Sequence, residues 1–349
     1  MPIQSKALLS LVSAAFLAAG TASCQSPEAS TDTSNTADAS NLPGAGVTVN
    51  TGYGVLEEKF QTEIINIGLE KMGYTIDAIK ELEYGPLMIE VGNGDIDFIS
   101  VHWENNQRDF FENSGGDEKL EKMGIIIKDA TQGYMIDKAT ADEHNITSLD
   151  QLSDPKIAAL FDTDGDGKAN LIGCTTGWAC ELIVEHHIDA YGLRDTVQQD
   201  QGKYFALIAD SITRVKQNES ALFYTWTPLW LSNVLVPDKD VVWLPVPYTD
   251  MPEAQGDISE ADTTAYGKNL GFAVEQVYTV ANQEFVDNNP AAAEFMRLVQ
   301  VPIADVNAQN QLIQEGEDSL DDIRGHAESW IEDNQATFDG WVEAAIAAQ

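Results

Sequence analysis

At 349 residues the chain is long enough for two lobes of ordinary domain size, each with its own core. Its 43% hydrophobic and 22% charged residues are those of a soluble globular protein rather than a disordered one. With 57 Asp plus Glu against 19 Lys plus Arg the formal charge is −38, which opposes approach to phosphate backbones or anionic lipid and excludes nucleic acid as a partner. Such acidity reads as a solvated surface suited to salty surroundings, where screening mutes self-repulsion, rather than as a patch for a basic partner.

The first element is an export address. Lys6 precedes the apolar run Ala7 to Gly20, too short to span a bilayer as a mature helix, so residues 1–23 are predicted to be a signal peptide. The segment Thr21-Ala22-Ser23-Cys24 resembles a bacterial lipobox with Thr21 in place of the usual Leu. Cys24 is therefore expected to be acylated, with plain cleavage near Ser23 as the alternative; acylation would be the only membrane attachment. Residues 24–42 are mostly Ser, Thr, Ala, Asp and Asn with almost nothing apolar to bury, and read as a tether.

Order is expected from residue 43. Gly46 to Asn50 reads as a strand, Glu57 to Met72 as an amphipathic helix stopped by Gly73, and Tyr74 to Ile76 as a second strand. Pro86 to Val91 reads as a helix, and Gly94 to Ile99 as a turn into a third strand. This alternation predicts an α/β fold. Strands at Gln132 to Ile136 and Val241 to Val246 bracket a middle block, with a helix at Glu181 to Tyr191, as if one lobe were inserted into another. A strand at Phe272 to Val280 and helices at Pro290 to Leu298, Ser319 to Asn334 and Phe338 to Ala348 would close the first lobe. The predicted division is 43–138 and 245–349 for lobe I and 139–244 for lobe II, with two crossings forming a hinge over an interlobe cleft, a favoured ligand site.

Three tryptophans, Trp103, Trp178 and Trp226, stand where strands or turns are expected to end, positions that line clefts in α/β proteins. Trp230, Trp243, Trp330 and Trp341 read as core or rim. After Cys24 only Cys174 and Cys180 remain, and in an exported chain two thiols six positions apart are expected to form a disulfide.

The segments Gly133 to Lys138, Leu160 to Lys168, Gly177 to Glu181, Phe223 to Pro228 and Val241 to Leu244 resemble the glycine betaine and proline betaine-binding proteins of ProU-type importers, in order from Leu42 to Gln349. The resemblance implies a two-lobe periplasmic-binding-protein fold, type II-like. It also implies a non-enzymatic solute receptor working with an ABC permease and its ATPase subunits in osmoprotection, and a monomer is expected. It places a quaternary ammonium group among Trp103, Trp178 and Trp226, where ring faces hold a weakly hydrated cation at about 0.5 to 2 kcal/mol per contact. Micromolar binding needs about 8 kcal/mol, so the ligand carboxylate must be held too. The resemblance assigns that task to the backbone N–H groups of Ala179 and Cys180 at a helix start. Where the family has a histidine, four residues after the first tryptophan, this chain has Gln107, which can donate one hydrogen bond. The disulfide would then fix the loop carrying Trp178 before ligand arrives.

Asp162, Asp164, Asp166 and Asn170 fall at calcium-loop positions, but Gly173 stands where the twelfth-position Glu belongs. A weak structural calcium site and an Asp/Gly turn are the two readings, and no cofactor is required. His102 reads as structural, and the adjacent His186 and His187 point to different helix faces, poor geometry for a metal. The sequence shows no phosphate loop, nucleophile elbow or zinc spacing. Choline, proline betaine or a sulfonium analogue are the rival ligands; a secreted hydrolase and a purely structural surface protein are the rivals from other classes.

Overall fold

A computed structural model describes residues 41–348. The proposed signal peptide, Cys24 and almost all of the tether lie outside them. Nine strands form one sheet in the order β2-β1-β3-β11-β4-β7-β5-β6, with β8 also paired to β4. They are β1 (Thr48–Tyr53), β2 (Thr75–Glu81), β3 (Phe98–Trp103), β4 (Leu120–Asp137), β5 (Ala169–Thr175), β6 (Val197–Gly202), β7 (Leu222–Thr227), β8 (Val241–Leu244) and β11 (Glu275–Asn282). The short β9 (Thr264–Ala265) and β10 (Lys268–Asn269) form a separate hairpin.

β3 is buried at every position because it lies between β1 and β11 with helices on both faces. β2, at the sheet edge, alternates between exposed and half-buried. On one face, the helices Lys59–Lys71, Pro290–Leu298, Leu320–Asp333 and Gln335–Ala347 bury Phe60, Ile64, Phe295, Ile323 and Phe338 against the sheet. On the other, the helix Tyr84–Asn93 packs Leu87 and Val91 against Ile99 and Val280. Gly73, at φ +92°, turns the chain out of Lys59–Lys71. Ser319 and Asp322 cap the next-to-last helix reciprocally: Ser319 Oγ accepts from the Asp322 N–H at 3.1 Å, and Asp322 Oδ2 from the Ser319 N–H at 3.2 Å.

The second core gathers Tyr134, Phe161, Leu171, Ile183, Phe223 and Leu244. The fold is thus the expected α/β two-lobe architecture. The chain passes between the cores at places other than the predicted boundaries. β4 pairs with β11 up to Ala130 and with β7 from Thr131, so the first crossing lies inside that strand rather than after Lys138. Val246, Leu270 and Phe272 still pack in the second core while Val277 packs in the first, so the return falls just before β11 and not at residue 245. A single strand can feed two cores by changing its pairing partner, and the apolar pattern along the sequence does not mark where that happens. Gly271 stands at this return with φ +82°; a Cβ there would meet Val246 Cγ1 at 2.8 Å.

Candidate functional site

β3 delivers Trp103 at its last position, the turn after β5 delivers Trp178, and β7 delivers Trp226. All three line one pocket, together with Gln107, Ala179 and Cys180, so every ligand residue expected from the sequence converges. Trp178 meets Trp226 edge to face at 5.7 Å between ring centroids and 70° between planes. Tyr204 packs against Trp226 at 4.6 Å and Tyr224 at 5.9 Å, rings that restrict its orientation. Trp230, Trp243, Trp330 and Trp341 are not among the residues lining this pocket. Trp330 instead stacks on Trp341 at 6.4 Å and donates to Asp305 Oδ2 at 2.9 Å.

Cys174 and Cys180 are joined, with their Cα atoms 6.0 Å apart. The bridge ties the end of β5 to the first turn of the helix Ala179–Ala190, and Trp178 is the N-cap residue between them. Gly177, at φ +93°, makes the turn, and its N–H donates to Glu181 Oε2 at 2.6 Å. Ala179 and Cys180 open the helix, where N–H groups have no intrahelical acceptor.

Gln107 is almost fully buried, and its Oε1 accepts from the Trp103 N–H at 3.1 Å. The loop between these residues is pinned by Glu275, whose oxygens accept from the N–H groups of Asn105 at 2.8 Å and Asn106 at 2.9 Å. Burial pushes the Glu275 carboxyl up to about 7, against the pull of those two donors.

Sequence reasoning missed the residues that complete the wall. Glu57, Glu58, Gln61, Tyr84, Tyr224 and Asn310 all line the pocket. Tyr84 crosses from the first lobe to meet Trp178 at 5.7 Å. Trp230 Nε1 donates to Glu57 Oε1 at 3.3 Å and the Leu229 N–H to Asn307 Oδ1 at 2.8 Å, so both lobes grip the rim. Asn307 and Asn310 belong to the helix Ile303–Glu315, which polar spacing concealed. A pair of acids just before an apolar helix was the available sign for Glu57 and Glu58.

His102 is buried against Phe111, at 5.5 Å between rings, and burial holds its imidazole down at about 3. His187 is buried with Nδ1 2.8 Å from Tyr134 Oη, whereas His186 faces Asp250 at 2.5 Å, so the two do not share a site. The carboxylates of Asp162, Asp164 and Asp166 approach within 4.8 Å of one another. Asp162 already accepts from the N–H groups of Gly165 at 2.7 Å and Gly167 at 2.9 Å. Asn170 turns its Oδ1 to the Thr163 N–H at 2.7 Å, so the expected fourth ligand closes the turn.

Residues 51–333 match the family described as the substrate binding domain of ABC-type glycine betaine transport systems. The chain belongs to that family. It is 48% identical over 312 residues to the glycine betaine-binding periplasmic protein OusX of Dickeya dadantii, covering 89% of this chain and 93% of that one. It is 46% identical over 312 residues to the glycine betaine/proline betaine-binding periplasmic protein of Escherichia coli, covering 89% and 94%. Lactococcal OpuAC, solved in a closed form with glycine betaine, shares the fold at a TM-score of 0.64 and 18% identity, over 85% of this chain and 99% of that one. An ABC-transporter choline-binding protein solved with choline does so at 0.65 and 17%, over 86% and 96%.

Proposed function

We propose that this protein is the extracytoplasmic receptor of an ABC importer for glycine betaine or proline betaine, acting by binding and not by catalysis. The observation that carries this reading is the convergence of Trp103, Trp178 and Trp226 on one pocket that also holds the opening N–H groups of the helix Ala179–Ala190. Indole faces attract a methylated cation whose charge water solvates poorly, while free N–H groups at a positive helix end receive a carboxylate. A zwitterion with both ends satisfies the two halves of the pocket at once.

Trp103 and Tyr84 come from the first lobe and Trp178 and Trp226 from the second. Binding therefore stabilises the shut arrangement, and the permease and its ATPase subunits read that shape as occupancy. Export, cleavage and acylation at Cys24 would hold the receptor in the periplasm on the outer face of the cytoplasmic membrane, supported by the signal-like N-terminus and the periplasmic relatives.

Parallel calorimetric titrations with glycine betaine, proline betaine and choline test the assignment. Betaines should bind at micromolar concentration or better, and choline more weakly. Its missing carboxylate leaves the amides of Ala179 and Cys180 unpaired, a cost of about 1 to 3 kcal/mol. Absence of binding by all three sinks the proposal.

A further inference from the structure

Two carboxyl groups line the pocket, and no Lys, Arg or His does among the described residues. Glu58 is the more enclosed of them, at 6% exposure. Its Oε1 accepts from Tyr84 Oη at 2.7 Å, and its Oε2 from the N–H groups of Gly54 at 2.8 Å and Val55 at 3.4 Å. Three donors on one buried carboxylate fix its position and favour its anionic form. Tyr84, the donor on Oε1, meets the Trp178 ring, so the acid adjoins the aromatic wall. Gln61 Oε1 and Asn310 Oδ1, also in lining residues, are buried without a partner among the described residues, adding negative potential on the same pocket.

Building this on the betaine-receptor reading, we infer that Glu58 is the fixed counter-charge of the pocket: it makes the site select a cationic head over a neutral one of the same shape. The ring quadrupoles of the tryptophans supply part of that preference; a full negative charge held beside them supplies more. Burial pushes the Glu58 carboxyl up to about 7, so the empty pocket shares a proton with solvent near neutrality. A bound cation favours the ionised form, and binding below that value must release the proton. The groups that face Glu58 are Glu57 on the same turn and Tyr84 from the helix Tyr84–Asn93, with Tyr224 from β7 beyond Tyr84 and Glu81 beyond Glu57. Lys59, the nearest cation in sequence, is tied to Glu63. Burial raises Glu57 and both tyrosines as well, so none of them supplies a positive charge.

The test compares glycine betaine with 3,3-dimethylbutyrate, which keeps the shape and the carboxylate but replaces the charged nitrogen by carbon. Both are titrated into the wild type, Glu58→Gln and Trp178→Ala at pH 8. Glu58→Gln should weaken betaine about tenfold and leave 3,3-dimethylbutyrate within about twofold, whereas Trp178→Ala weakens both. Betaine binding to the wild type at pH 6 should also release protons, seen as a dependence of the titration heat on the ionisation enthalpy of the buffer, and Glu58→Gln should abolish that dependence. Equal weakening of both ligands by Glu58→Gln means a purely structural cap and overturns the inference, as does an unchanged betaine affinity. If Glu58→Gln does not fold, a wild type that binds betaine at pH 6 with no proton release overturns it. A wild type that binds no betaine at all strikes instead at the receptor assignment.

Discussion

Replacing Trp178 by alanine removes one face of the box and also the edge contacts that orient two neighbours. In the intact protein the ring lies 5.7 Å from both Trp226 and Tyr84, at 70° and 64°, and is 9% exposed. The lost cation contact is worth about 1 to 2 kcal/mol in a desolvated site. Release of Trp226 and Tyr84 from their packed orientations adds about 1 kcal/mol, since each aromatic pair contributes about 0.5 to 1.5 kcal/mol. The sum, about 2 to 3 kcal/mol, corresponds to a Kd raised about thirty- to a hundred-and-fiftyfold. Trp330→Ala is the matched control: it breaks the stack on Trp341 and the bond to Asp305, outside the pocket, so it should lower Tm and leave Kd within about twofold. Calorimetric titration with glycine betaine beside thermal melts of both variants separates the effects. Equal changes in Kd for the two variants, once both are shown to be folded, would refute the reasoning.

The double variant Cys174→Ser, Cys180→Ser should weaken betaine binding about tenfold, because the bridge holds the turn carrying Trp178 and the Ala179 and Cys180 amides; unchanged affinity removes the preorganisation argument. The Glu275 carboxyl is raised from its ordinary 4.5 to about 7 by burial, so the folded state prefers it protonated. Its contribution is therefore complete below about pH 4.5 and is lost as pH rises to 7, on the order of 2 to 3 kcal/mol, and Glu275→Gln should flatten that part of a denaturant-midpoint profile against pH. Chelation should leave Tm unchanged if the segment is an Asp/Gly turn, in which Asp162 accepts from backbone N–H groups and Asn170 closes the turn, and a chelator-induced drop of several degrees would favour the calcium reading instead.

The sequence by itself determined the alternation of helices and strands, because amphipathic periodicity and glycine stops are local properties of neighbouring residues. It also determined the aromatic box: Trp103, Trp178 and Trp226 stand in motifs specific enough to be matched to a family before any coordinates, and the pocket gathers all three. Tertiary structure decided where the chain changes cores, since β4 runs unbroken from Leu120 to Asp137 and only its pairing partner marks the passage. It decided the use of the helix Ile303–Glu315 too, whose buried Gln309 and Asn310 hide its inward face from any hydrophobic pattern. Above all it decided the character of Glu58. Beside the neighbouring N–H groups of Gly54 and Val55, its carboxyl accepts from Tyr84 Oη, 26 residues along the chain. Such an assembly depends on packing across the sheet, and the order of residues alone does not encode it in readable form.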